Sequence, residues 1–569
     1  MALGTSAVLP GASDTLINAN LVDYLILATY FVFVLGIGLI ARRSVSDSLD
    51  FFLSGRSLPA WVTGLAFISA NLGAVEVMGM SANGANYGIP TVHYFWVGAV
   101  PAMLFLGVVM MPFYYGSKVR SVPEFMNRRF GPPAHLVNAL SFALAQLLIA
   151  GINLYLLASI VEVLLGWPLW LSLIIAALIV LSYITLGGLS AAIYNEVLQF
   201  FIIVAALLPL TIIGLHKGGG YGGLKDKITA NYADHADRLN SWPATNLTGI
   251  NNDLLSVIGI VFGLGFVLSF GYWTTNFVEV QRAMASSSMS AAQRAPIIGT
   301  FPKMFVPFLV IFPGMIAGVI VTELQPGSGS PDYNNSILYM MRDLLPNGML
   351  GVAIAGLLAS FMAGMAANIS AFNTVFSYDL WQTYVIRDRE DGYYTFVGRL
   401  ATVAATVIAI GTAFFASNYT NIMDYLQTLF GFFNAPLFAT FILGMFWKRM
   451  TPTAGWVGLV SGTLAAVFVG IASEDALGPM SQGWFGIGGQ GASFVAAGAA
   501  FVVDIAVSVV VSGMTQPRPD SELRGLVYSL TPKAERHDPT ESTLPWYQKP
   551  VRLAAVSGVM VIILNIIFW

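Results

Sequence analysis

Long apolar stretches constrain this chain more than any other feature. A stretch of roughly 20 mostly apolar residues can cross a bilayer only as a helix or as part of a closed barrel. The composition agrees, since the chain is 56% hydrophobic and 10% charged, whereas soluble proteins carry about 25% charged residues. We therefore predict an all-α integral membrane protein with about fourteen transmembrane helices. These candidate spans lie at about 21–42, 60–82, 91–114, 134–164, 168–187, 191–215, 253–281, 296–323, 347–381, 394–416, 421–446, 454–472, 490–513 and 551–569.

The lysines and arginines between these spans predict the orientation. They concentrate in alternate connections, and connections rich in them face the cytoplasm. The long loop over 216–252 departs from this alternation, but long loops translocate largely regardless of charge. We expect a multi-pass protein of the plasma membrane with both termini outside. The predicted divisions are an extracellular tail (1–20), a helical core with peripheral helices (21–513), a cytoplasmic linker (514–550) and a final transmembrane helix (551–569).

One apolar span is interrupted at its middle, in 66-AFISANLGAVEVMGM-80. Asn71 and Gly73 weaken helix propagation there, and Glu76 places an ionisable group within the span, where such groups mark pathways or binding sites. Transporters often use broken helices at the midplane to coordinate ions and solutes. Tight packing of small residues against a neighbouring helix would explain Gly73. It does not explain Asn71 together with Glu76.

A second interrupted span, 266-FVLSFGYWTTNFVEVQR-282, begins the fifth span after the first one. A pair of glycine-interrupted spans at corresponding positions of two halves is typical of inverted-repeat transporters. Tyr272 and Trp273 beside polar groups suit a sugar, because rings cover C–H faces and polar groups bind hydroxyls; packing or interfacial positions are the alternative. A third polar segment places Asp424 and Gln427 three residues apart, on one helix face.

Other ionisable residues within the spans fall into two groups. Glu196 and Lys303 lie deep in their spans, as Glu76 and Asp424 do, and a structural ion pair or a solvated cavity wall is the alternative to a site. Glu162, Glu279 and Asp379 lie near predicted span ends, where we expect solvated, interfacial positions. The chain has no cysteine and no glycine-rich phosphate loop, so neither thiol chemistry nor ATP-driven transport has support.

The motifs in order resemble the sodium/solute symporter family, and most closely its sodium–sugar cotransporter branch. The resemblance covers about residues 20–515 and a final helix. It implies a leucine-transporter-like fold of two five-helix inverted repeats with extra helices at both ends, fourteen in all. The matching segments are 51-FFLSGRSLP-59, 69-SANLG-73, 121-SVPEFMNRRF-130, 187-GGLSAAIYNEVLQ-199, 272-YW-273, 281-QR-282, 303-KMFVPFL-309, 379-DLW-381, 424-DYLQ-427 and 446-FWKR-449.

The resemblance also implies a solute site. Its members are Asn71 in the broken helix, Glu76 where relatives have glutamine or histidine, the aromatic gate of Tyr272 and Trp273, Lys303 and Gln427. Two positions depart from the family pattern. Phe95 stands where the family has a sugar-binding glutamate, and Ser269 stands where a bacterial relative has asparagine. We hypothesise that Glu76 replaces the acid lost at Phe95.

A sodium site is implied as well, built from the carbonyls of Ser69 and Leu72 and from a second helix. On that helix the family's serine pair corresponds to Ala363 and Gly364, and only Ser360, one turn earlier, keeps a hydroxyl. Sodium is a hard cation that prefers oxygen ligands, so this change is expected to weaken the site. Glu196 and Asp424 match family acids and are the coupling candidates; Glu196 would act either as a cation ligand or as a proton carrier.

The sequence therefore predicts a sodium-coupled symporter of a sugar-like solute that works by alternating access. A proton-coupled or uncoupled carrier of a sugar or another polar solute is the alternative within transport. A membrane sensor on a transporter-like core is the alternative of another class. We expect no enzymatic activity, no nucleic acid and no obligate protein partner; the expected ligands are a small solute, sodium and the lipid bilayer.

Overall fold

Helices make up the regular structure of the described residues, in keeping with the demand that lipid-embedded backbone satisfies its own hydrogen bonds. The computed structural model describes Ile17 and residues 19–41, 57–73, 75–116, 121–326, 332–419, 421–474 and 481–569. Three features discussed above lie largely or wholly outside the described residues. They are the predicted tail over 1–20, most of the motif at 51–59, and the basic residues of the first two predicted cytoplasmic connections, Arg42, Arg43, Arg56, Lys118 and Arg120.

The apolar helices follow the predicted spans closely. In chain order they are α1 (Leu21–Ala41), α2 (Ala60–Asn71), α3 (Val75–Tyr87), α4 (Ile89–Tyr115), α5 (Pro132–Leu165), α6 (Leu169–Gly218), α7 (Asp253–Thr275), α8 (Met289–Ile320), α9 (Met349–Val385), α10 (Asp391–Ala416), α11 (Ile422–Phe446), α12 (Pro452–Ala472), α13 (Gly489–Met514) and α14 (Pro550–Ile567). The longer connections contain Val122–Phe130, Gly220–Asn231, His235–Leu239, Thr245–Thr248, Phe277–Met284, Ser336–Leu344 and Asp520–Leu523.

The number of membrane spans is best read from length and hydropathy. Among the described residues, 11 helices are long and apolar enough to cross a membrane, or 12 if the bent pair α2 and α3 forms one span. Two shorter apolar stretches, Leu21–Val34 and Leu169–Leu181, come in addition. The two spans predicted at about 168–187 and 191–215 fall on the single helix α6, of 50 residues. The total of fourteen spans stays a prediction.

Both interruptions that the sequence predicts are breaks in the structure. The first is a bend of 57° between α2 and α3. The second follows Thr275, where Asn276 is extended (φ −72°, ψ 115°) and its side chain accepts a 3.0 Å hydrogen bond from the Val278 N–H, which starts the helix Phe277–Met284. An N-cap of this kind satisfies one of the free donors at a helix start.

The centre of the helix bundle is formed by α8 and α9. The apolar stretches of these helices are 83% and 89% buried, respectively, whereas that of α14 is 22% buried. Small residues allow close crossings there. A Cβ at Gly314 of α8 would lie 2.0 Å from the Ser81 carbonyl of α3, so only glycine permits this contact. The two halves of the broken span thus pack against the most buried helices.

The predicted linker over 514–550 forms short helical turns that pack on the bundle. Asp538 Oδ2 accepts a 2.9 Å hydrogen bond from the Ser290 N–H at the start of α8, and Arg518 Nη1 donates to the Arg128 carbonyl at 3.0 Å. These turns are Asp520–Leu523, Tyr528–Leu530, Lys533–Arg536, Pro539–Thr543 and Trp546–Gln548. The division of the chain at this segment stays a prediction.

Candidate solute and cation site

The break between α2 and α3 leaves backbone oxygens without their helical donors. The Leu72 N–H still donates to the Ile68 carbonyl at 2.9 Å, and the next such bond joins the Val77 N–H to the Gly73 carbonyl at 3.0 Å. Between these bonds, no N–H of the described residues donates to the carbonyl of Ser69 or Leu72. Both residues are buried. These are the two carbonyls that the family resemblance implies as cation ligands.

An ion pair spans the break. The Lys303 ammonium, on α8, lies 2.6 Å from Glu76 Oε1 and also donates to the Asn71 side-chain oxygen. The lysine side chain is 2% exposed and the glutamate 13%. A buried charge of either sign requires such a partner. The pair therefore ties the last residue of α2 to the first turn of α3 through one lysine on α8.

Two aromatic rings flank the same ammonium. Lys303 Nζ lies 4.7 Å from the centroid of the Phe95 ring and 5.1 Å from that of Trp273. Trp273 in turn stacks on Phe67 with centroids 5.5 Å apart. Cations favour aromatic faces at these distances. Phe95 and Glu76 thus contact one lysine, which is the arrangement expected if the carboxylate has moved from the first position to the second.

Tyr272 links the broken span α2–α3 to the second break. Its hydroxyl accepts a 3.0 Å hydrogen bond from Asn71 Nδ2 and donates to Glu279 Oε1 at 2.7 Å. Its ring packs against Phe430 of α11, with centroids 4.7 Å apart. A single phenol therefore joins Asn71, at the first break, to the short helix that follows the second.

A cleft lies at this junction of the two breaks. It brings together seven residues predicted for the solute and one predicted for the cation: Asn71, Glu76, Ser269, Tyr272, Trp273, Lys303, Gln427 and Gly364. Phe95 is fully buried behind Lys303 and does not line the cleft. The wall therefore combines amide, carboxylate, ammonium and aromatic groups within reach of one small molecule.

The candidate cation ligands on α9 face the break through a contact between two glycines. A Cβ built on Gly73 would lie 3.2 Å from Gly364 Cα and 3.7 Å from the Ser360 carbonyl oxygen. Ser69 and Ser360 are both fully buried, and neither hydroxyl oxygen has a hydrogen-bond partner among the described residues. Ala363 and Gly364 offer only carbonyls. The oxygen donors present fit a hard monovalent cation.

The two coupling candidates lie off the cleft wall. Glu196 is fully buried and pairs with Arg282, whose Nη2 lies 2.7 Å from Oε1 and whose Nε lies 3.4 Å from Oε2. Asp424 lies in the first turn of α11, and its Oδ1 is buried with no hydrogen-bond partner in the part of the chain that the structure describes. Their roles in coupling stay predictions.

Two acids expected at the interface are buried instead, so that expectation was wrong. Glu279 is 0% exposed and bonded to Tyr272. Asp379 is 4% exposed, and its Oδ1 lies 2.9 Å from His135 Nε2. Hydropathy places span ends but does not show which neighbouring helices cover them.

Asn153 of α5 and Asn276 also line the cleft, and the sequence reasoning missed both as site residues. Asn276 lies inside the second interrupted segment, so its position there could have indicated that it lines the site. Asn153 is one of several amide side chains on the apolar helix α5, and in the sequence it cannot be told from an asparagine that bonds only its own helix backbone.

A broken-helix bundle with a polar cleft at the breaks defines a secondary membrane transporter. A model of the sodium:solute symporter family matches residues 51–462. The chain belongs to this family.

The chain is similar over most of its length to curated sugar cotransporters. It is 29% identical to a sodium/glucose cotransporter of Vibrio parahaemolyticus over 473 residues, which cover 79% of this chain and 85% of that protein. It is 28% identical to sodium/glucose cotransporter 1 of Oryctolagus cuniculus over 571 residues, which cover 94% of this chain and 85% of that protein.

Among solved structures, the fold is similar to that of a Na⁺-coupled sialic acid symporter in a substrate-bound outward-open state. The TM-score is 0.73 at 18% identity, over 88% of this chain and 98% of that one. A nucleobase-cation-symport-1 family transporter gives a TM-score of 0.51 at 14% identity, over 84% and 97% of the two chains. The predicted fold class, an all-α membrane protein with a leucine-transporter-like core, is confirmed.

Proposed function

We propose that the protein is a sodium-coupled symporter that carries a sugar-like solute by alternating access. The observation that carries the proposal is the cleft at the two helix breaks, in which Asn71, Glu76 and Gln427 lie beside the rings of Tyr272 and Trp273. Amide and carboxylate oxygens bind hydroxyl groups, and aromatic faces cover the C–H face of a sugar ring. Sodium/glucose cotransporters and a sodium/myo-inositol cotransporter are among the relatives, which favours a polyhydroxylated solute.

The charge of the cleft favours a neutral solute. Glu76 and Lys303 form an ion pair, so their charges cancel locally. A free anion would compete with Glu76 for the lysine, and a free cation would compete with Lys303 for the glutamate. A neutral polyol can instead accept a hydrogen bond from the ammonium and donate one to the carboxylate without breaking the pair.

Sodium would be held by the free carbonyls at Ser69 and Leu72 together with oxygens of α9, Ser360 among them. A cation there would fix the α2–α3 break against α9 and so stabilise the outward-open form of the solute cleft. Solute binding favours the same conformations, so each ligand raises the affinity for the other. Closure of the cleft and rocking of the bundle would then release both ligands inside.

The competing proposal is a proton-coupled or uncoupled carrier, and the missing hydroxyls at Ala363 and Gly364 favour it. Glu76 and Glu196 would be its proton groups. The contacts of Glu196 argue against that role, because Glu196 is engaged by Arg282 through two hydrogen bonds in a fully buried pair. Protonation of Glu196 would leave the arginine charge buried without its partner.

A ligand screen by thermal unfolding tests the proposed solute class. Ligands that bind only the folded state raise its apparent stability. We expect a sugar or cyclitol to raise the unfolding temperature of the purified protein, and the rise to be larger in sodium than in equimolar potassium. A stabilising ligand that is an organic acid or an amine, with no effect from any sugar, would contradict the sugar-like solute.

We also propose that the protein lies in the plasma membrane with both termini outside, as the alternation of basic connections predicts. The absence of cysteine makes single-cysteine labelling direct. Asn251→Cys, in the long loop, is expected to react with an impermeant maleimide in intact cells. Ser521→Cys, in the linker, is expected to react only after the membrane is opened. The reverse labelling pattern would show that the protein has the opposite orientation in the membrane.

A further inference from the structure

We propose that the side-chain oxygen of Asn153, on α5, is a ligand of the coupling cation and replaces the hydroxyl that the chain lacks at Gly364. This inference rests on the proposed sodium-coupled function. It assigns the cation a third helix in addition to α2 and α9.

The first argument is the position of this oxygen. A Cβ built on Gly364 would lie 3.1 Å from Asn153 Oδ1 and 3.1 Å from Gly73 Cα. A serine at this position would extend its hydroxyl one bond further from that Cβ. The Asn153 oxygen therefore lies next to the volume that a serine hydroxyl at position 364 would fill.

The second argument is the direction in which the amide faces. Asn153 Nδ2 donates a 3.1 Å hydrogen bond to the Ile149 carbonyl, one turn earlier on α5. A carbonyl oxygen only accepts hydrogen bonds, so the NH₂ group must face Ile149. The Oδ1 atom is consequently turned away from its own helix, toward Gly364.

The third argument is that this oxygen is buried with no other use. Asn153 is 3% exposed, and its Oδ1 has no hydrogen-bond partner among the described residues. The hydroxyls of Ser69 and Ser360 share that condition. They precede the touching glycines Gly73 and Gly364 by four residues each. Buried polar groups normally find a partner, and side-chain amide oxygens are ordinary ligands of hard cations.

The shape of the site links the residues to one another. Gly73 and Gly364 bring α9 against the break, and the absence of side chains there leaves room for the Asn153 carboxamide. A hydroxyl at position 364 and a carboxamide at position 153 would compete for one volume. The chain therefore carries one of the two donors, and the two should be exchangeable.

The test measures sodium binding to the purified protein. Thermal unfolding is recorded while sodium replaces potassium at constant ionic strength. Binding to the folded state raises the free energy of unfolding by RT ln(1 + [Na⁺]/Kd), so the dependence of the unfolding temperature on sodium concentration gives the half-saturating concentration. Asn153→Ala is expected to raise the half-saturating sodium concentration by about tenfold, the loss of one good ligand. The matched control is Asn138→Ala. Asn138 lies on the same helix, is 2% exposed and also has an unpartnered Oδ1, but it lies about 22 Å away along α5.

The exchange variant makes the test specific. Asn153→Ala combined with Gly364→Ser is expected to return the half-saturating sodium concentration to within about threefold of the wild-type value. Unchanged sodium dependence in Asn153→Ala, or a loss of sodium affinity no greater than in Asn138→Ala, would overturn the assignment of Asn153 as a ligand. The proposed sodium coupling would not be affected by that result. Failure of the double variant to recover would overturn the exchange argument.

Two further outcomes separate this inference from the proposed function. If the wild-type protein shows no sodium-specific stabilisation, with or without a stabilising solute, the sodium-coupled function itself fails. If Asn153→Ala does not fold, Asn153→Asp, which keeps the oxygen and the side-chain size, takes its place. Its added negative charge is expected to lower the half-saturating sodium concentration, and an unchanged or higher value would overturn the assignment.

Discussion

The carboxylate of Glu76 lies 2.6 Å from the ammonium of Lys303 across a break in a membrane-spanning helix. The same ammonium lies over the Phe95 ring, where relatives of the sugar-cotransporter branch are expected to carry their carboxylate. This geometry supports the view that the acid of the solute site has moved between two positions that contact one lysine. It makes Glu76 the residue with the largest predicted effect on transport.

Glu76→Ala is therefore expected to abolish solute uptake, and Phe95→Ala only to weaken it. The glutamate is proposed to bind the solute and to neutralise Lys303, whereas the phenylalanine supplies only a ring face behind the lysine. Uptake by cells or proteoliposomes, normalised to the amount of folded protein, measures both. Equal losses in the two variants would contradict the moved-carboxylate hypothesis.

The Glu76–Lys303 pair should show strong thermodynamic coupling. Removing one charge of a buried pair costs about 3–5 kcal/mol, because the other charge is left without a partner. Glu76→Gln and Lys303→Gln are each expected to lower the unfolding temperature markedly, and the double variant to recover most of the loss in stability but not the uptake. Additive losses in the double-variant cycle would show that the two charges act independently.

Tyr272→Phe removes the hydroxyl that connects Asn71 to Glu279. The carboxylate of Glu279 is fully buried and would lose its 2.7 Å donor, which costs about 1–3 kcal/mol or more for a charged group. We expect lower thermal stability and lower solute affinity. Tyr393→Phe, at a phenol that bonds Trp381 at the end of α9, is the matched control and should leave solute affinity unchanged. A Tyr272→Phe variant with wild-type stability would show that the phenol bridge contributes nothing.

Variants of the Glu196–Arg282 pair distinguish a structural role of Glu196 from a role in coupling. Glu196→Gln alone is expected to destabilise the protein by about 3–5 kcal/mol. Glu196→Met together with Arg282→Met removes both charges, and it should recover stability. Sodium-dependent solute uptake by the folded double variant is then the readout. If sodium dependence persists, Glu196 is a structural residue; if uptake persists without sodium dependence, Glu196 belongs to the coupling apparatus.

The sequence predicted the two helix breaks because polar residues and glycines stand out within apolar spans. Asn71, Gly73 and Asn276 each disturb a helix locally, so local chemistry decided the result. Long-range pairing was harder to predict. Glu196 and Arg282 are 86 positions apart, and their pairing depends on how α6 packs beside the short helix Phe277–Met284.

Burial at the ends of spans escaped prediction for the same reason. Glu279 lies near the end of a predicted span, so hydropathy alone assigned it to the membrane interface, while the packing of neighbouring helices covers it completely. Asn153 carried no signal in its own helix. What distinguishes it is the approach of Gly364 from α9, which only the three-dimensional arrangement reveals.

Coupled transport into proteoliposomes tests the central claim most directly. Purified protein is reconstituted, and accumulation of a solute chosen by the ligand screen is followed under an inward sodium gradient or an inward proton gradient, with the membrane potential clamped. We predict accumulation above equilibrium under the sodium gradient, and none when the sodium gradient is absent. Accumulation driven by the proton gradient and indifferent to sodium would contradict sodium-coupled symport.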